Sequence, residues 1–273
     1  MIREISCNTK YIGKQNVWLS ETDSTNEVIK RLVTDGVTIE ATDWTESIFE
    51  GDPREGLTVV TDNQTAGRGR RGREWVSETN RSLTFSVLLE PKTTPDKMSM
   101  LTLVAAMAVC SALQEYYGIY AGIKWPNDIV IKDRKVGGIL TELVDYKHVI
   151  VGIGINVNQT AFPEDISGMA TSIAIEGGEC TNIKPLLEHI LEKLEAYYER
   201  FMQTTDMSVL KDEYSGRLVN RDRRVRVLDP QGEYEGVATG IDDEGCLLVE
   251  DNEGLGHTVY AGEVSVRGIY GYV

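Results

Sequence analysis

The chain has 273 residues, with 28 Lys and Arg against 43 Asp and Glu, a formal charge of −15 at pH 7, and a 41% hydrophobic content. That length makes one or two domains with ample core, and that composition excludes disordered, collagen-like and coiled-coil chains. The acidic excess argues against nonspecific polyanion binding by the whole surface, so any phosphate chemistry must rest on local basic clusters.

The longest apolar stretches, near 101–109 and 149–155, are too short or too interrupted to span a bilayer. Residues 1–10 lack a charged-then-apolar signal pattern, and a cytoplasmic protein is expected. Cys7, Cys110, Cys180 and Cys246 are far apart and form no CxxC or Cys/His cluster. They read as scattered thiols in a reducing compartment rather than a structural zinc site.

In chain order, Ser24 and Glu27 have capping-box spacing, and Val28, Ile29, Leu32 and Val33 follow at helical intervals, so a helix starts here. Residues 40–56 are acidic, end in Gly-Asp-Pro-Arg-Glu-Gly, and read as an exposed loop. Residues 57–61 and 82–89 read as strands. A broad-faced apolar helix over 98–117 is predicted to be buried. Strands follow at 122–124, 129–132, 138–144 and 149–157, then a helix from Pro185 with Leu187, Ile190, Leu191, Leu194, Tyr198 and Phe201 on one face. From 217 onward short β-type runs alternate with Gly and Asp turns, as in a small all-β domain. The expected division is an α/β unit over 1–216 and a β-barrel unit over 217–273.

The strongest chemical signal is the segment 64–75. It follows a strand, holds Gly67, Gly69 and Gly72, and places Arg68, Arg70, Arg71 and Arg73 within six residues. Glycines let backbone approach a ligand, and arginines offer planar, permanent cations for carboxylate or phosphate. No Gly-Lys-Ser/Thr ends the loop, so it is not a Walker loop. A small anionic ligand explains it better than a nucleic acid, because no wide basic surface or aromatic platform accompanies it.

Lys124-Trp125-Pro126-Asn127-Asp128 follows a short strand and can point an ammonium into a cleft. Asp128 is a weak candidate for Mg²⁺, and Asn127 reads equally well as a turn residue. In 151–158, Gly152 and Gly154 alternate with β-branched residues. They leave a flat floor for a ligand or admit a close-packed helix, and spacing alone leaves both open. Ser24 and Thr25 can cap a helix and also offer its N-terminus to an anion or carbonyl. His148, His189 and His257 sit in no catalytic or ligand motif and read as structural.

Taken together, Asp23 to Asn26, Gln64 to Arg73, Lys124 to Asp128, Lys135 to Leu140 and Gly152 to Asn156 occur in the order seen in biotin protein ligases, and the chain resembles that family over about 17–267. The resemblance implies a class II aminoacyl-tRNA synthetase-like α/β catalytic domain with a small SH3-like β-barrel behind it. It implies that biotin and Mg·ATP give biotinyl-5′-AMP and pyrophosphate, and that the acyl group then passes to one lysine of a biotin carboxyl carrier domain. By motif, Ser24, Thr25, Asn26 and Gln64 would hold biotin, with Gly67, Arg68, Gly69 and Arg70 clasping its carboxyl region and Lys124 reaching it. Gly138, Gly152 and Gly154 would form the floor. Arg70, Arg71, Arg73, Trp75, Lys124, Asn127 and Asn156 would serve ATP and the adenylate, and Arg68, Arg70 and Lys124 would be the catalytic cations.

About twenty residues precede the Ser-Thr motif, too few for the helix-turn-helix domain that many relatives carry, so a ligase without DNA binding is expected. The stretch 41–56 looks longer than the usual link between the first helix and its strand. The resemblance is compatible with a homodimer. A lipoate-type ligase of related fold and a non-enzymatic biotin sensor are the competing readings. A nucleic-acid protein is weakened by the net acidic tail after 217.

Overall fold

The computed structural model describes residues 5–35, 52–76, 79, 81–178, 182–229, 232–261 and 265–268. Most of the acidic stretch (residues 41–51) and Cys180 lie outside them. Among the described residues, β1 (Asn16–Leu19), β2 (Thr58–Thr61), β3 (Ser82–Leu89), β4 (Gly122–Lys124), β5 (Asp128–Ile131), β6 (Arg134–Leu143) and β7 (Val149–Asn156) form one sheet in the order β1-β2-β3-β7-β6-β5-β4. β1 and β2 run parallel, and the remaining pairs are antiparallel.

Strand alternation gives this sheet two differently used faces. Phe85, Val87, Val151 and Ile153 point into the main core with Val104 and Met107 of α3 (Leu101–Tyr117) and Leu187 and Leu194 of α4 (Lys184–Thr204). Leu88 and Ile150 point the other way, against Val28, Ile29 and Leu32 of α1 (Thr25–Asp35). The apolar window around α3 is long enough to cross a membrane by composition, but 78% of it is buried in the protein, which makes it a core helix. α1 is short and covers only part of its face. The rest of that face is where the cavity opens.

A stripe of carboxylates on α4 holds the N-terminal segment. Glu188 accepts the N–H of Ser6 at 2.7 Å and Glu192 that of Asn8 at 2.8 Å. Buried Glu195 accepts the N–H groups of Lys10, Tyr11 and Ile12 at 2.6, 3.0 and 3.0 Å.

The predicted helix over 98–117 is divided into a short α2 (Pro95–Met98) and α3. β6 begins at Arg134, earlier than expected, because Lys132 and Asp133 take up left-handed conformations (φ 48° and 62°) and close a tight hairpin without glycine. The short β1 and α5 (Lys211–Arg217) carry too few turns of pattern to be read from sequence.

A second, antiparallel sheet follows α5, with β8 (Arg224–Leu228), β9 (Tyr234–Ile241), β10 (Leu247–Asp251), β11 (Gly256–Val259) and β12 (Ser265–Gly268) in the order β11-β10-β9-β8-β12. It is tied to the first unit through Trp125, whose indole N–H donates to Gly245 O at 3.0 Å and whose backbone N–H donates to Asn220 Oδ1 at 2.9 Å.

Candidate active site

The uncovered face carries a cavity of about 620 Å³, within the usual size of a small-molecule site. Its floor follows from strand register. Ser86, Gly152 and Leu140 stand in one row across β3, β7 and β6, and Thr84, Gly154 and Gly138 stand in the next. Each row points to the α1 side, and its glycines remove side chains that would fill the space.

One end of the cavity is neutral and densely hydrogen-bonded. Gln64 Oε1 accepts the backbone N–H of Thr25 at 2.9 Å. The Thr25 hydroxyl lies 2.6 Å from Ser86 Oγ, which donates to Asn26 Oδ1 at 2.5 Å, and Asn26 Nδ2 donates to Glu142 Oε2 at 2.6 Å. Ser24, Thr25, Asn26 and Ser86 are all buried. A Cβ at Gly152 would overlap Asn26 Oδ1 and stand 3.0 Å from its Cγ, so the glycine makes room for the amide.

The expected reciprocal capping box is not formed. Asp23 Oδ1 takes the N–H of Ser24 at 2.7 Å, while Arg31 holds Asp23 in a two-pronged ion pair at 2.6 and 2.9 Å and depresses its pKa. Glu27 is thereby released from capping and instead pairs with Arg68.

The arginine loop is a pinned hairpin. Trp75 N donates to Gly67 O at 2.9 Å and Gly69 N to Arg73 O at 2.7 Å. Gly67 is packed against the Trp75 carbonyl and has no room for a Cβ. Arg70 to Gly72 make a single tight turn with Arg71 left-handed (φ 60°). From this hairpin Arg70 donates to Asn127 Oδ1 and to Ala261 O, each at 3.0 Å. Arg68 turns toward the neutral end, pairing with Glu27 and, at 3.8 Å, with Glu142.

The opposite end is cationic. Arg70, Arg71, Arg73, Lys124, Lys135 and Arg267 line it together. Lys124 ends β4 and is buried, and burial pulls its pKa down to about 8. Asp128 opposes the shift, while Lys135, Arg267 and Arg73 add to it. Burial likewise lowers the Arg70 pKa. Asp128 Oδ1 binds Lys135 Nζ at 2.6 Å and accepts from Asn127 Nδ2 at 3.3 Å. Trp75 lies over the floor, where a Cβ on Gly154 would stand 2.5 Å from its Cε2, and the Lys135 ammonium sits 5.8 Å from the indole ring centre. Trp75 Nε1 and Thr84 Oγ1 line the cavity and have no hydrogen-bond partner among the described residues, as expected of groups that a ligand satisfies.

The structure thus brings together Ser24, Thr25, Asn26, Gln64, Arg68, Gly69, Arg70, Arg71, Arg73, Trp75, Lys124, Asn127, Asp128, Gly138, Gly152 and Gly154 around one cavity. Two expected residues stand outside its lining. Gly67 serves the hairpin base, and Asn156 is buried with its amide donating to Thr171 O at 3.1 Å. Sequence reasoning missed Ser86, Glu142, Lys135 and Arg267. Ser82, Thr84 and Ser86 alternate through a fully buried strand, a signal that one face is polar by design. Arg267 carries no such signal, because its position depends on how the second sheet folds back.

Known proteins bear on this geometry. Residues 38–156 match the model of the biotin/lipoate A/B protein ligase family, and 222–267 match the biotin protein ligase C-terminal domain. The chain is 40% identical to the bifunctional ligase/repressor BirA of Bacillus subtilis over 78% of its own length and 66% of that protein's. It is 32% identical to the biotin–[acetyl-CoA-carboxylase] ligase of Mycobacterium tuberculosis, over 77% of this chain and 79% of that one. The structure of the biotin protein ligase of Aquifex aeolicus in complex with biotin and ATP superposes with a TM-score of 0.78 at 32% identity, covering 93% of this chain and 99% of that one. The mixed α/β sheet followed by a β domain is therefore the class II synthetase-like arrangement that the resemblance implied.

Proposed function

The chain belongs to the biotin/lipoate A/B protein ligase family as a biotin protein ligase, and from that premise we propose that it activates biotin with ATP and transfers it to a lysine of a biotin carboxyl carrier domain. One observation carries this reading. A single cavity joins a neutral hydrogen-bonding pocket at one end to a cluster of cations at the other. That polarity suits a neutral bicyclic urea whose side chain ends in a carboxylate beside a nucleotide's phosphates.

In the first step the biotin carboxylate oxygen attacks the α-phosphorus, and the bond to pyrophosphate breaks. The carboxylate is ionised at pH 7, so no base is needed. The barrier is the repulsion between two anions, and preorganised cations lower it. We assign this task to Lys124 and Arg70; Arg68, expected beside them from the motif, is paired with Glu27 and Glu142 at the other end of the cavity. Ser24, Thr25, Asn26 and Gln64 hold the head, and Gly69, Gly138, Gly152 and Gly154 allow close approach. Arg71, Arg73, Trp75 and Asn127 border the nucleotide. The loop shields the mixed anhydride from water. In the second step the carrier amine attacks the carbonyl carbon, loses a proton, and AMP leaves.

The described residues contain no group of three potential ligands that would hold a metal by protein alone, and Asp128, the candidate carboxylate, is engaged by Lys135 and Asn127. Mg²⁺ enters in this reading as the Mg·ATP complex, held by phosphate oxygens and water, and no step is assigned to a protein-bound metal. The neutral end offers the amide and hydroxyl groups of Ser24, Thr25, Asn26 and Gln64, which suits a urea head better than the flexible apolar chain of a lipoate-type substrate. We assign residues 1–216 to the catalytic unit and 217–273 to the C-terminal β unit, and we place the protein in the cytoplasm, in line with the buried free thiols Cys7, Cys110 and Cys246.

Incubation with labelled biotin, ATP and a purified carrier domain tests this reading. Label on the carrier lysine is expected. Stable biotin binding with no ATP-dependent product would make the chain a sensor.

A further inference from the structure

The chain of hydrogen bonds at the neutral end has a direction, and its last acceptor has a second contact. Ser86 has one hydroxyl proton and gives it to Asn26 Oδ1, so at the 2.6 Å contact the Thr25 hydroxyl is the donor, sharing its one proton between Ser86 Oγ and the more distant Gln64 Oε1 at 3.2 Å. Asn26 must then present its Nδ2 to Glu142 Oε2, at 2.6 Å. Glu142 accepts only, so it fixes which way the Asn26 amide faces and hence where the pocket offers a donor or an acceptor. The same carboxylate stands 3.8 Å from Arg68, the loop arginine that also pairs with Glu27. Register explains the position, since Glu142 lies two and four residues beyond Leu140 and Gly138, on the same face of β6 as the floor.

We propose that Glu142 is a positioning residue that couples the head pocket to the arginine loop. Through Asn26 it sets the polarity of the pocket, and through Arg68, together with Glu27, it holds the loop against α1 and β6. Occupation of the pocket steadies Asn26 and Glu142, and Glu142 in turn steadies Arg68. Arg68 therefore acts as a tether, its charge already met by two carboxylates, rather than as a cation facing the reacting phosphate. This inference rests on the biotin reading for the identity of the ligand, while the tether itself does not depend on it.

The test uses Glu142→Gln, which keeps size but replaces one acceptor by a donor and removes the charge, with Glu142→Asp as the conservative variant and Glu27→Gln for comparison. Two quantities are read on the full chain. These are the rate of trypsin cleavage within 68–73 with and without biotin, and biotin affinity by calorimetry, alongside the thermal midpoint. Glu142→Gln is expected to raise ligand-free cleavage about fivefold, the scale of one half-exposed ion pair, and to weaken biotin about tenfold. The thermal midpoint stays put, and biotin protects the loop less than in the native chain. Glu142→Asp recovers part of both effects, and Glu27→Gln raises cleavage but leaves biotin affinity nearly unchanged. Native cleavage in both glutamine variants would overturn the proposal, as would a Glu142→Gln whose losses merely follow a lowered midpoint. Should the native chain fail to bind biotin, the functional reading falls, and the ligand-free cleavage rates still decide the tether.

Discussion

Arg70 reaches from the loop hairpin to the backbone carbonyl of Ala261, donating an N–H at 3.0 Å, while its other nitrogen donates to Asn127. This one guanidinium joins the loop, the β4–β5 turn and the C-terminal unit around the cationic end. Arg70→Gly removes all of these bonds at once. Charge-assisted hydrogen bonds contribute about 1.5–3 kcal/mol, so adenylate should leave the variant at least about tenfold faster. Chasing bound labelled adenylate measures this, and unchanged retention would remove the clasp from the account.

Lys124 links burial to pH dependence. Its pKa is drawn down to about 8, chiefly by burial, so the cation is present below that pH and is lost as pH rises through it. Adenylate formation should decline across that range, and Lys124→Ala should slow it by about 100–1000-fold, as for other preorganised charge-stabilising groups. An anion in the cavity favours the charged form, so biotin or adenylate binding just above pH 8 should take up protons. Calorimetry in buffers of different ionisation heat reads the uptake. Proton-neutral binding there would mean that Lys124 does not face the ligand's charge.

Gly152 is a steric prediction. An alanine there overlaps Asn26 Oδ1, and overpacking of this kind costs about 1–3 kcal/mol. Gly152→Ala should weaken biotin about tenfold or more, with ATP binding much less affected. Equal loss of both ligands would place the damage in the fold rather than in the head pocket.

Glu195 is a stability prediction remote from the cavity. Its carboxylate accepts three consecutive N–H groups of the N-terminal segment. Leaving them unmet in Glu195→Ala should cost about 2–3 kcal/mol, read as a lower urea midpoint and earlier proteolysis near Lys10. An unfolding free energy within about 0.5 kcal/mol of native would show that the stripe on α4 adds nothing to stability.

The sequence made much of this legible where chemistry is local. The Gly67–Arg73 run, Lys124 at a strand end, and Gly152 with Gly154 all line or shape the cavity, because each works through its own backbone neighbourhood. Glu142 and Ser86 were not legible as site residues. Their meaning comes from pairing across β3, β7 and β6, and register is a tertiary fact. Glu27 shows the limit of local motifs. Its spacing from Ser24 spells a capping box, but Asp23 satisfies Ser24 and a distant arginine claims Glu27. Arg267 enters the cavity from a separate sheet, which no spacing within 64–156 encodes.

The central claim is that the neutral end takes the head of the acyl substrate while Lys124 and Arg70 meet the newly joined carboxyl and phosphate. A crystal structure with a non-hydrolysable biotinyl-adenylate analogue tests it most directly. The bicyclic ring is expected among Thr25, Asn26 and Gln64, the acyl-phosphate mimic within hydrogen-bond reach of the Lys124 ammonium, and the base beside Trp75. A ligand bound in the reverse sense, or with Lys124 and Arg70 turned away from the mimic, would contradict it.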